Sequence, residues 1–209
     1  VVADKPAEPR EISRPTRSPA PTLSPLQQRL AAVQESAQQL PALRRAVLAN
    51  DEAMVQALLG QFTPAQQSQV WQADENGQTL VTLASQQASP AVLSLLLEHS
   101  PQSSWQDRQG RNALFHALKG RRQDNIAVLL KAGIDPLQSD LAHQTPLETA
   151  IAQNGDAAMA LLQATDSKRW KPQWLPVAMK QKAGAMVDRL LKGGMAIDAV
   201  DAEGRTALA

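Results

Sequence analysis

A short turn-and-helix signature returns along this chain at a fixed interval, and that interval restricts the fold more than any other property of the sequence. Gly77-Gln78-Thr79-Leu80, Gly110-Arg111-Asn112-Ala113 and His143-Gln144-Thr145-Pro146 stand 33 residues apart. Three residues before each stands an acid, Asp74, Asp107 or Asp140, and seven residues after each stands Ala84, Ala117 or Ala150. An apolar cluster closes each unit: Leu95-Leu96-Leu97, Val128-Leu129-Leu130 and Leu161-Leu162. A period of this length belongs to stacked supersecondary units.

Each position has a physical reading. The acid and the Gly shape a tight turn, Gly because it accepts positive φ at no steric cost. Thr-Pro opens a helix, with Pro preset for the first turn. The small Ala lets neighbouring helices approach, the Leu cluster faces the next unit, and a terminal Gly stops the second helix in a left-handed cap. Composition agrees. Leu and Ala dominate, β-branched residues are scarce, and aromatics make up 3% with no Tyr, so an all-α chain is expected.

These residues resemble the ankyrin repeat. Thr145-Pro146-Leu147-Glu148-Thr149-Ala150 is similar to the family's T-P-L-H-x-A, and Gly194-Met195-Ala196-Ile197-Asp198-Ala199-Val200-Asp201 to its G-A-D-V-N-A-x-D. The resemblance implies an all-α ankyrin-repeat solenoid of stacked helix-turn-helix pairs over 41–209. Its units fall at about 42–60, 74–100, 107–133, 140–163 and 174–194, with a partial unit at 201–209. Repeat turns are expected at 74–77, 107–110, 140–143 and 201–204. Residues 42–60 read as a looser pair, with Ala46 at the small position, Leu58-Leu59 as its cluster and a long connection after it. The chain departs from the family where its His is replaced by Thr82, Phe115 and Glu148, which puts the usual inter-repeat hydrogen bond in question. His143 replaces a turn Gly, and an altered hairpin tip is expected there. Residues 164–174 form an irregular connection, since Leu162 and Leu191 are closer than the period requires.

Two segments precede the array. Residues 1–23 hold Pro6, Pro9, Pro15, Pro19 and Pro21 among Ser, Thr, Arg and Glu, and read as a disordered tether. Ser24-Pro25 reads as a helix start, and Leu26, Leu30, Val33, Ala37 and Leu40 form one stripe of a capping helix over 24–40. The sequence opens Val1-Val2, as a processed or trimmed chain would. Ala209 falls part-way into a repeat's first helix, so continuation or fraying is expected there.

The residue inventory points away from chemistry. No Cys is present, which removes disulfides, thiolate zinc sites and a Cys nucleophile. His99, His116 and His143 have no metal-ligand spacing and read as turn and surface residues. No nucleophile elbow or phosphate loop occurs. We therefore expect no catalytic residue, metal or cofactor. Lys and Arg total 21 against 20 Asp and Glu, so no global field attracts nucleic acid. No apolar run approaches the ~20 residues of a membrane helix, so no membrane insertion is expected.

One local charge stands out. Arg108, Arg111, Lys119, Arg121 and Arg122 belong to one unit, while the positions 33 residues before and after are neutral apart from Glu75. In the ankyrin family, hairpin tips and the exposed side of the first helix line the concave binding face. The resemblance thus implies that these five side chains meet a protein partner with an acidic surface, against the plain alternative of a solvated loop. The run Lys168-Arg169-Trp170-Lys171-Pro172-Gln173-Trp174 is a second candidate, with Arg169 and Trp170 as anchors. The alternative is that a Trp plugs the shortened repeat, and Trp174 is read that way. Trp71 and Trp105 are expected along the hairpin edge.

The function implied is a non-catalytic protein-binding module. Two alternatives stand beside it. One is an immunity protein neutralising a secreted bacterial toxin enzyme such as a lipase effector. The other is a regulatory or substrate-binding fragment of a larger enzyme. The Pro-rich leader is similar to stalks of bacterial envelope proteins. That implies a periplasmic or envelope-tethered location, with the cytoplasm as the alternative.

Overall fold

The computed structural model describes residues 39–153, 156–198, 200, 204 and 206. The expected tether and the start of the capping helix lie outside these residues. Helix α1 covers 39–49, so Leu40 and Pro41 sit within a helix and the boundary expected at Leu40 falls inside it. The chain then runs through α2 (Glu52–Gln61), α3 (Pro64–Val70), α4 (Leu80–Gln87), α5 (Pro90–His99), α6 (Ala113–Lys119) and α7 (Gln123–Lys131). After these come α8 (Pro146–Ala152), α9 (Asp156–Gln163), α10 (Trp174–Lys180) and α11 (Gly184–Lys192). Among the described residues there is no strand, only isolated bridges at Gln106–Asn112 and Val200–Thr206.

The helices begin where local side chains cap them. Asp51, Thr79, Ser89, Asn112 and Thr145 accept N–H bonds of the first turns of α2, α4, α5, α6 and α8. Such short helices are marginal alone and form because a neighbour buries their apolar side. Here α4, α6, α8 and α10 lie side by side as one layer, and α2, α5, α7, α9 and α11 as the second. Between the layers runs a continuous core through Leu43, Val47, Leu80, Leu93, Leu114, Ile126, Leu147, Leu161, Leu175 and Leu190. Ala84, Ala117, Ala150 and Ala178 are wholly buried where first helices meet.

Three of the four expected turns are built alike. The acid's N–H donates to the carbonyl four residues on, at 2.8–3.0 Å from Asp74 to Gln78, Asp107 to Arg111 and Asp140 to Gln144. The acid's side chain takes N–H bonds from within the turn: Gln78 to Asp74, Gln109 and Arg111 to Asp107, Ala142 and Gln144 to Asp140. Gly77 and Gly110 have φ of +78° and +73°. His143 takes the same left-handed conformation at +59°, so the tip keeps its shape with a non-Gly residue. Successive hairpins are joined by Arg108 N–H to Gly77 O and Leu141 N–H to Gln109 O, both 3.0 Å. Residues 201–203 of the fourth turn lie outside the described residues.

Two features depart from the simple pair pattern. The long connection after α2 contains α3, which the sequence reading took as part of a loop; Thr63 N–H donates to Gln66 Oε1 at its start. The irregular connection after α9 holds a 3-10 turn, Ser167–Arg169. Its closing Trp174 is 2% exposed and fills the core, as expected. Trp71 is buried too, and Trp105 is part-buried with its Nε1 donating to Ser100 Oγ.

Candidate functional site

The five basic residues of the third hairpin unit do not converge on one spot. Arg111 is pinned at the hairpin: its Nε donates to Asp107 Oδ2 at 2.8 Å, and its Nη2 lies 2.7 Å from the same oxygen. Arg122 reaches back to the preceding unit, where Nη2 donates to Gln87 O, at the C-terminal end of α4. Arg108 lays its Cβ, Cγ and Cδ over Gly77 and lines a separate groove with Trp71 and Gln106. Lys119 and Arg121 are exposed and have no ion pair among the described residues.

Arg111, Lys119 and Arg121 rim a groove of about 600 Å³ between the hairpin tips and the first helices. Its far wall is neutral and polar: Gln144, Thr149 and Gln153. Asp140 also lines it, but its carboxylate already accepts the N–H groups of its own turn. A neighbouring groove shares Arg121 and Gln153 and carries Asp156 on the second-helix side. The placement of Arg121 is set by the backbone. Gly120, Arg121 and Arg122 donate N–H bonds to His116, Leu118 and Ala117 carbonyls, and Arg121 has φ of +53°. This left-handed cap ends α6 and throws the side chain outward.

Behind the groove lies a group the sequence reading assigned to the surface. His116 is 2% exposed, and its Nε2 is 3.0 Å from Asp107 Oδ2. Asp107 only accepts, so Nε2 carries the proton and Nδ1, buried and without a partner, is the bare nitrogen. Burial pushes the imidazole pKa below its ordinary value, against the opposing pull of Asp107. Burial raises the Asp107 carboxyl, but the Arg111 side-chain and backbone bonds and the Arg111 charge outweigh it and hold it low. His116 is buried because it stands one position after Phe115, and that step of about 100° on a helix turns its ring under the hairpin. Of the other histidines, His99 and His143 are exposed as expected, with His99 Nδ1 2.9 Å from Leu95 O.

Arg169 and Trp170 serve internal contacts. Arg169 Nη2 lies 2.7 Å from Asp135 Oδ2, both half exposed. Burial raises the Asp135 carboxyl, and the bonds from Arg169 and the Leu137 N–H bring it below its ordinary value. Trp170 is half-buried against Gly193, where a Cβ would come within 2.0 Å of its ring, and Arg189 stacks over it at 5.8 Å. Neither residue adjoins the groove at Lys119 and Arg121. Glu148, at the family's His position, closes the cap of α8 and takes bonds from Lys171 Nζ at 2.6 Å and Trp174 Nε1 at 3.4 Å. Its carboxyl is raised by burial and lowered further by Lys171 and Thr145, for a net depression.

Three contributors escaped the sequence reading. Asn125, 1% exposed on α7, donates to the carbonyls of Ser85 and Ala88 at 3.0 Å and Ala84 at 3.4 Å, satisfying the end of α4. Lys180, the last residue of α10, and Lys182, in the turn after it, are exposed, and this turn repeats the cap at Arg121. Gln181, Lys182 and Ala183 bond to Val177, Met179 and Ala178 carbonyls, and Lys182 has φ of +56°. Aligning Lys119-Gly120-Arg121 with Lys180-Gln181-Lys182, instead of counting in steps of 33, would have found them.

Among the described residues, no three His, Asp or Glu side chains are grouped as metal ligands, and no helix is long and apolar enough to cross a membrane. A family model described as ankyrin repeats (three copies) matches residues 43–140. No curated protein matches the sequence. Among solved structures, the ankyrin repeat domain of Bcl-3, a member of the IkappaB protein family, is similar in fold. Its TM-score is 0.64 at 23% identity, over 79% of this chain and 77% of that one. Repeating acid-capped hairpins, two stacked helix layers and the family match lead to one conclusion: residues 43–140 are similar to ankyrin repeats, and the chain has the ankyrin-repeat fold.

Proposed function

We propose that the chain is a non-catalytic module that holds a protein partner, with an acidic surface of that partner seated at Arg111, Lys119 and Arg121. Ankyrin repeats are in general protein–protein interaction modules, which supports the class. The observation that carries the finer reading is the state of Lys119 and Arg121: both are exposed, have no ion pair among the described residues, and stand with Arg111 on one open groove whose lining carries a single acid, Asp140, bound within its own turn. Two close like charges cost the isolated fold a little, so they contribute most when an opposite charge arrives. Such complementarity acts chiefly on encounter rate and specificity.

The test begins with the full chain immobilised and exposed to extract of its source cells. The retained protein is then passed over the wild type and the K119E/R121E variant at two ionic strengths. Association should slow roughly tenfold in the variant and lose salt dependence, with an unchanged melting curve. An association rate unaffected by the reversal would leave Lys119 and Arg121 as a solvated loop. The nature of the retained protein, secreted enzyme or otherwise, separates an immunity role from other binding roles.

A further inference from the structure

The two free cations of the groove are matched two units further along. The turns after α6 and α10 are the same left-handed cap, so Lys119 and Arg121 stand on the same backbone frame as Lys180 and Lys182. All four are exposed, and none has an ion pair among the described residues. Between them lies the C-terminal end of α8, which offers the uncharged Thr149, Ala152 and Gln153, while the one acid of α8, Glu148, is paired with Lys171. Helix α8 contacts both α6 and α10. At an interaxial distance of roughly 10 Å per step, the two basic pairs are roughly 20 Å apart. An extended chain covers that distance in about six residues.

Resting on the reading above, we infer that the partner contributes an extended segment with two acidic clusters about six residues apart, one held by Lys119 and Arg121 and the other by Lys180 and Lys182. The uncharged strip of Thr149, Ala152 and Gln153 lets the intervening residues pass without a charge requirement. Asp156, beside Arg121 on the second-helix side, repels carboxylates there and keeps them on the first-helix side. A nucleic-acid strand fits less well. It carries one phosphate per roughly 3.4 Å, so most of its charges over this span would meet no cation.

The inference is tested on the full chain by fluorescence anisotropy at low salt. The probes are synthetic peptides bearing two Glu-Glu pairs centred three, six or twelve residues apart, and a single-stranded twelve-nucleotide oligothymidine. The six-residue spacing should bind about tenfold more tightly than the three-residue one, because only it engages both pairs at once. K180E/K182E should abolish that preference, as should K119E/R121E, and K180A/K182A should weaken it. Circular dichroism melts confirm the fold of each variant. Affinity independent of spacing, or a preference that survives K180E/K182E, overturns the inference, as does oligothymidine binding as tightly as the best peptide. With the captured partner the two levels separate. If K119E/R121E slows association and K180E/K182E does not, the two-point segment falls and the binding groove stands. If neither slows it, both fall.

Discussion

Replacing Gly120 by alanine probes the closest approach between units. Gly120 has an ordinary φ of −78°, so nothing in its own conformation demands glycine. The demand comes from its neighbour: a Cβ there would lie 2.2 Å from Gln86 O, 3.0 Å from its carbonyl carbon and 3.1 Å from its Cα. All three are backbone atoms at the end of α4, which cannot swing away as a side chain would. Relief requires the α6–α7 turn to retreat by about 1 Å, and overpacking of that kind costs about 1–3 kcal/mol. The retreat also lengthens the bonds from Arg122 to Gln87 O and from Asn125 to the α4 carbonyls. At about 1 kcal/mol for each neutral bond lost, the expected total is roughly 2–4 kcal/mol. Gly60→Ala is the control. It lies inside α2 with nothing within 4 Å of a Cβ, and it should stabilise by about 0.5–1 kcal/mol through helix propensity. Urea denaturation followed by far-UV circular dichroism reads both. With a slope of roughly 2 kcal/mol per molar, G120A should lower the midpoint by about 1–2 M. A midpoint for G120A at or above the wild-type value would refute the claim that backbone contact sets the spacing of these units.

Two further expectations follow from the buried polar groups. Asn125→Ala leaves the carbonyls of Ser85 and Ala88 without their donor and should cost about 2–3 kcal/mol by the same denaturation assay, more than a surface Asn on any helix. His116 gives a pH signature. Its folded pKa lies below the unfolded value of about 6.5, so the unfolded chain binds the extra proton first. Stability should hold above that value and fall as pH drops from about 6.5 through the folded pKa. In His116→Gln that part of the slope should vanish, while the loss at lower pH from the depressed Asp107 carboxyl remains. Stability measured between pH 7 and 4 that falls equally in both proteins would assign the slope elsewhere.

The repeat was legible in the sequence because its determinants are local. An acid at the turn, a residue accepting positive φ three positions on, a cap before each first helix and a small Ala within it act within about ten residues, and each appears where the spacing predicted. His143 shows the strength of that frame: the turn keeps its left-handed tip although the residue there is not glycine. The extra helix α3 was missed because its length and polarity, Pro64–Val70, resemble a loop, and its C-terminal Val70, buried with the Trp71 that follows, reveals its role only through the core.

Sequence alone, then, determined the helix pairs, their hairpins and their order, since short-range backbone chemistry decides those. What each charge does was decided only by tertiary structure. Arg122 meets Gln87 and Arg169 meets Asp135 across more than thirty residues. Arg108 is turned into a different groove, and His116 is drawn under a hairpin. The shortened connection before α10 shifts the count, so Lys180 and Lys182 return to the register of Lys119 and Arg121 only when the caps are superposed in space. A sequence shows which residues carry charge. Whether a charge is spent on a neighbour or left for a partner depends on distances of a few ångströms between segments far apart in the chain, and the packing of the stack sets those distances.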